Sequence, residues 1–176
     1  MRRRTYGGLL LSTALAGCSR FTTQEEDSSK KPYSSEDGTQ LAVTRTVPTE
    51  ECTFGDGTPL MSKRGRLLLI QLAAENTANT KTQLPTPAQF SIEVRDEARD
   101  PYQISLKDDP NGLASSISEP VSGPLFPGKS ELSGDGSTTG WLIFSVPSES
   151  SETTLQLRDP EDAILHEWSL SFKTTA

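Results

Sequence analysis

The sequence predicts an all-β protein, an antiparallel β-sandwich of about seven or eight short strands, on three observations. Downstream of Gln40 the apolar residues recur with a period of two almost everywhere. Turn formers break the chain at short intervals, with 13 Gly and 12 Pro spread along it. No segment after Cys18 carries a helical period, and the connections are too short for the crossover helices that parallel strands need.

The first stretch is an address. Arg2, Arg3 and Arg4 precede an uncharged, largely apolar run from Tyr6 to Gly17. A basic lead followed by such a run has the organisation of a signal peptide, predicted over residues 1–17. The run is shorter than the roughly 20 residues needed to cross a hydrocarbon core. Its end, Leu15-Ala16-Gly17-Cys18, resembles the lipobox of secreted lipoproteins, and Arg3-Arg4-Thr5-Tyr6 resembles the twin-arginine export signal. The first resemblance implies small residues, Ala16 and Gly17, at the cleavage site and lipid on the Cys18 thiol. The second departs from its pattern at Gly7, where a large apolar residue is usual, so both the twin-arginine and the general secretory routes stay open. The competing reading, a buried first helix, lacks a polar face. Lipid on Cys18 would attach the chain by burial of methylenes, each worth about 0.8 kcal/mol, with two chains needed for stable anchoring. The expected location is the outer face of a cell membrane, with the membrane itself as the first partner.

Residues 18–40 are expected to form a lipid-anchored flexible linker. From Ser19 to Gln40 the chain is polar and almost devoid of aliphatic residues, too poor in apolar surface to offset chain entropy. Some 20 flexible residues span about 25 Å.

Residues 41–174 form the expected domain. Leu41, Val43, Arg45 and Val47 alternate with polar residues, the mark of a half-buried strand. Leu67 to Ala74 is nearly continuous in apolar residues and fits a central strand buried on both faces, with a short buried helix as the alternative that periodicity alone leaves open. Phe90, Ile92 and Val94 alternate, and a charged turn over Arg95 to Asp100 leads to Tyr102 and Ile104 as the second arm of a hairpin. Lys107 to Gly140, rich in Pro, Gly and Ser, is expected as a long loop. Trp141 to Val146, Leu155 with Leu157, and Ile164 to Phe172 supply the remaining strands. The last of these places Ile164, His166, Trp168, Leu170 and Phe172 on one face.

The run Leu67 to Ala74 with Asn76, the alternating strand opened by Phe90, Tyr102, Leu125-Phe126-Pro127-Gly128, and Gly140-Trp141-Leu142-Ile143-Phe144-Ser145-Val146-Pro147 follow one another in order. This succession resembles an uncharacterised family of secreted lipoprotein domains with an immunoglobulin-like β-sandwich, some of whose members carry a misleading telomeric-repeat-binding label. The resemblance implies a fold and an extracellular setting; it implies no activity, cofactor or catalytic residue. The physical reading of the same residues agrees. Asn76 can bond local backbone at a strand end, Pro127-Gly128 suits a tight turn, and Gly140 permits a close backbone approach before Trp141 fills the core.

Counting limits the chemistry. The formal net charge is -7; without Arg2, Arg3 and Arg4 the basic count falls from 17 to 14 against 24 acids, a balance of -10. Such a chain lacks the basic stripe that nucleic acid requires, so no nucleic-acid partner is expected. The acid excess favours solubility, and its self-repulsion is screened at high salt. One histidine and two cysteines are too few for a zinc site, a disulfide framework or a histidine cluster. Cys52, Met61 and His166 are three of the ligands of a blue-copper site, but the second histidine is missing. With Cys18 taken by lipid, Cys52 is read as a shielded thiol, or else as half of an intermolecular disulfide. The carboxylates at Asp56, Asp96-Glu97, Asp108-Asp109, Asp135 and Asp159 to Asp162 lie in turns and lack EF-hand spacing. Nothing sets a separation for a glycosidase pair. His166 is read as a packed residue before a general base, and Trp141 and Trp168 as core before a sugar platform. The function expected is therefore a membrane-anchored, non-catalytic binding or envelope module without a cofactor, facing a surface protein partner. A ligand- or cation-binding component of a larger surface or transport system is the alternative.

Overall fold

In the computed structural model residues 31–63, 65–102 and 116–173 are described. The signal residues Arg3, Arg4, Leu15, Ala16 and Gly17, the acceptor Cys18, and Ile104 and Asp108-Asp109 lie outside them. In chain order the strands are β1 (Tyr33–Ser34), β2 (Thr39–Thr49), β3 (Glu51–Phe54), β4 (Pro59–Met61), β5 (Arg66–Asn76), β6 (Thr82–Gln83) and β7 (Phe90–Val94). They continue with β8 (Glu97–Arg99), β9 (Ser116–Glu119), β10 (Gly123–Pro124), β11 (Glu131–Leu132), β12 (Ser137–Val146), β13 (Glu152–Arg158) and β14 (Ile164–Ser171). Every paired strand is antiparallel to its neighbour, and the described chain is β throughout except for a 3-10 turn at Pro87–Gln89.

The apolar run predicted as a central strand is β5, held between β2 and β12 in the sheet β1-β2-β5-β12. Its side chains alternate, so a continuous apolar run buries both faces. Leu68, Ile70 and Leu72 join Leu142 and Phe144 of β12 against Phe90, Ile92, Leu155, Leu157, Trp168 and Leu170 of the sheet β14-β13-β7-β8. These two sheets are the expected sandwich. Leu67 and Leu69, with Trp141 and Ile143, face the other way into a second cluster with Cys52, Phe54, Ile117 and Val121. That cluster is covered by the sheet β10-β9-β3-β4, so the central sheet is the middle of three layers. Each large side chain fully buried in this way contributes about 1.5–3 kcal/mol.

The structure corrects the sequence reading at four places. The strand expected to keep Leu41, Val43, Arg45 and Val47 on one face has a register shift between Val43 and Arg45. The extra residue, Thr44, donates through its hydroxyl to the Gln71 side-chain oxygen at 3.1 Å. One residue of slip reverses every side chain beyond it, so Leu41 and Val43 enter the first core and Val47 packs on the second. The hairpin turn is only Arg95-Asp96, at φ 54° and 63°, the two left-handed residues a tight turn of matching twist requires. Its second arm is therefore β8, and Tyr102 leaves the hairpin. The segment expected as a long loop contains β9, β10 and β11. Finally, order begins before Leu41: Tyr33 pairs with Leu41 and Ser34 with Gln40, and the Tyr33 ring packs on the first core.

A polar residue, Asn76, closes the end of the central strand. Asn76 is fully buried; its amide donates to the carbonyls of Thr80 at 2.7 Å, Ser133 at 3.0 Å and Leu132 at 3.2 Å, while its oxygen accepts from Ala78 N–H at 2.9 Å. This is the strand-end role expected of it, extended to a turn distant in sequence. Beside it Gly38, at φ 89°, lies so close to Ala78 that an added Cβ would sit 2.7 Å from the Ala78 Cβ.

Candidate functional site

The outer edge of β12 meets two irregular segments, around Phe126 and Tyr102, and the end of β8 at Arg99. Its carbonyls alternate in direction, and those of Trp141, Ile143 and Ser145 point away from β5. Trp141 O accepts from Phe126 N–H at 3.0 Å, Ile143 O from Tyr102 N–H at 2.8 Å, and Ser145 O from the Arg99 guanidinium at 3.2 Å. An exposed ladder edge is thereby capped by separate donors instead of a strand. The close approach expected of Gly140 is present: a Cβ there would stand 2.6 Å from Phe126 Cα. Phe126 in turn meets Phe90 edge to face, with ring centroids 5.6 Å apart.

Phe126 and Tyr102 meet β12 through their backbone N–H groups, and a cavity of about 490 Å³ opens between their segments. Tyr102, Leu125, Phe126, Trp141 and Ile143 supply its apolar wall. Trp141 is buried and its indole N–H donates to Ser122 O at 3.4 Å, a long bond. The rim is formed by the 3-10 turn at Pro87–Gln89 and by Pro127 to Ser130. Gln89 fixes that turn, accepting from Thr86 N–H at 3.0 Å and donating to Arg158 O at 3.2 Å. A volume of this size suits a small molecule. The cavity lies at the β12 edge of the central sheet, whereas the chain enters that sheet at β1, the opposite edge.

The residues weighed for metal chemistry do not meet. Cys52 lies in the second cluster, His166 is on the far sheet beside Trp168 and Tyr33, and Met61 is 61% exposed. Among the described residues no group of three or more His, Cys, Asp or Glu is arranged to hold a metal ion. Cys52 is a free buried thiol; burial, helped by the Glu51 charge, pushes it up to about 11. At neutral pH it is therefore a thiol and not the nucleophilic thiolate. His166 is half-buried at the sandwich margin, its ring 4.6 Å from that of Trp168 and its Nε2 3.1 Å from Lys31 O. Trp168 is fully buried, as expected of a core residue. The turn carboxylates bond their own backbone: Asp56 accepts from Thr58 N–H at 2.8 Å, and Asp159 from Glu161 and Ala163 N–H at 2.9 Å.

Sequence reasoning named Tyr102, Leu125-Phe126-Pro127-Gly128 and Gly140-Trp141 as parts of one succession but foresaw no cavity between them, and it kept Tyr102 in the hairpin. The missed signal was Arg95-Asp96, a pair able to turn in two residues, which would have released Tyr102 from the hairpin.

No protein-family model matches the chain, and no curated protein matches it. Among solved structures it is similar to ycdA of Bacillus subtilis, described as a candidate lipoprotein, at 16% identity and a TM-score of 0.51 over 81% of this chain and 38% of that one. It is also similar to the yjhA protein of Bacillus subtilis, at 13% identity and a TM-score of 0.49, over 81% of this chain and 97% of that one. The chain thus spans well under half the length of the ycdA protein. At such identity the likeness is one of fold.

Proposed function

We propose that the chain is an exported lipoprotein, held on the outer face of a membrane by lipid on Cys18, whose sandwich is a non-catalytic binding module. The observation that carries the binding part is the apolar cavity at the β12 edge, walled by Tyr102, Phe126 and Trp141. Among the described residues its lining holds no His, Cys, Asp or Glu. The anchoring part rests on Leu15-Ala16-Gly17-Cys18 behind the arginines. The description of ycdA as a candidate lipoprotein agrees with it. The immunoglobulin-like assignment is supported by strand order: β2-β5-β12 and β14-β13-β7 follow the A-B-E and G-F-C sequence of those sandwiches.

The test is fractionation of cells expressing the full chain and its Cys18→Ser variant. The native chain is expected in the membrane fraction and the variant in the soluble exported fraction. Equal partitioning of the two would remove the anchor. Arg3→Lys with Arg4→Lys separates the routes, since twin-arginine export stops and general secretion continues.

A further inference from the structure

The lining of the β12 cavity also carries a charge signature. The chain holds 24 acidic residues, yet among the described residues no carboxylate lines this cavity, and the one lysine or arginine among them that does is Lys129 on the rim. Two other surface hollows differ: Glu93, Asp96 and Glu152, with Arg95, line one on the outer face of the β14-β13-β7-β8 sheet, and Asp100, with Arg99, lines another. Among the described residues Lys129 makes no ion pair and so keeps its charge free for a guest, as four other cations, Lys81, Arg95, Arg99 and Arg158, do not. An apolar wall with one ammonium at its mouth favours a guest that is apolar over most of its surface and carries one negative charge.

We infer that the cavity binds a small amphipathic monoanion, its apolar body against Trp141, Phe126 and Tyr102 and its anionic group at Lys129. This rests on the binding-module reading above and narrows its ligand. Burial of the body supplies most of the affinity, and the ammonium supplies the discrimination. The protein's overall negative field slows the approach of such an anion, so affinity is expected to rise with moderate salt until Lys129 itself is screened.

The test uses the full chain and two fluorescent probes of similar apolar body, anionic anilinonaphthalene sulfonate and neutral N-phenylnaphthylamine. Saturable binding of both is expected, with the anion about tenfold tighter. Lys129→Glu should weaken the anion about tenfold and leave the neutral probe unchanged. Ala88→Trp, an exposed rim position, should abolish both without lowering the melting temperature, and Ser130→Trp serves from the opposite rim if the first variant unfolds. If both probes bind equally and Lys129→Glu changes neither, the anion preference is overturned while the cavity stands as a binding site. If neither binds saturably, or if rim plugs that fold leave binding untouched, the cavity is not a binding site and both readings fall.

Discussion

The side-chain amide of Asn76 donates to the carbonyl of Ser133 at 3.0 Å, joining the end of the central strand to the turn that opens β12. Thr80 and Leu132 carbonyls share the same amide, and Ala78 N–H is met by its oxygen. One buried side chain therefore satisfies four backbone groups, one of them, the Leu132 carbonyl, in a fully buried bond.

Replacing Asn76 by Ala strands those groups. A buried polar group left unpaired costs about 1–3 kcal/mol, and partial relaxation of the turn makes about 3 kcal/mol the expected loss. Urea denaturation should show a lower midpoint with an unchanged slope. Asn76→Asp, which keeps the acceptor and loses the donors, should be no better than Ala.

Gly140→Ala places a methyl where Phe126 backbone stands, at 2.6 Å. The strand cannot move without disturbing β5, so the Leu125–Phe126 segment must lift. We expect about 1–3 kcal/mol of destabilisation, as for other overpacked sites, and a red shift of tryptophan emission as Trp141 meets water. Unchanged emission together with unchanged stability would contradict the close approach.

Cys52 should resist thiol reagents in the folded protein, labelling only at the rate of opening. Its raised folded value also fixes the sign of an alkaline effect. The unfolded thiol ionises near 8.5 and the folded one at about 11. The stability it contributes is complete below the unfolded value and is lost as pH rises through that window. Cys52→Ala should flatten the alkaline slope of the stability profile between those limits while lowering stability at neutral pH.

Asp37 acts in acid. The Ser35 hydroxyl, with Thr39 N–H at 3.2 Å, holds its carboxyl below the usual value. A depressed folded value means the contribution is present above the unfolded value, near 3.9, and lost as pH falls through the depressed one. Asp37→Asn should therefore lose its difference from the native protein at the acid end of a denaturation series. The probe is best read at Tyr33, which neighbours this turn and packs on the first core.

What could be read from residues alone was whatever depends on local period and local turn chemistry. Leu67 to Ala74 announced a strand buried on two faces because an uninterrupted apolar run leaves no side for water. Gly140 before Trp141 announced a close backbone contact because Gly is the residue that permits one. The segment before Leu41 was read as tether because its composition is polar, yet Tyr33 alone supplies enough burial to add a short edge strand.

The antiparallel β class, the central strand and its polar stop at Asn76 were thus determined by the sequence itself, since each follows from residues within a few positions of one another. Tertiary structure decided the slip at Thr44 that sends Val47 to a second core, the third layer over Leu67 and Leu69, and the meeting of Tyr102, Phe126 and Trp141 around a cavity. Those depend on register and on contacts between distant segments, where a shift of one residue reverses a face and no local pattern records it.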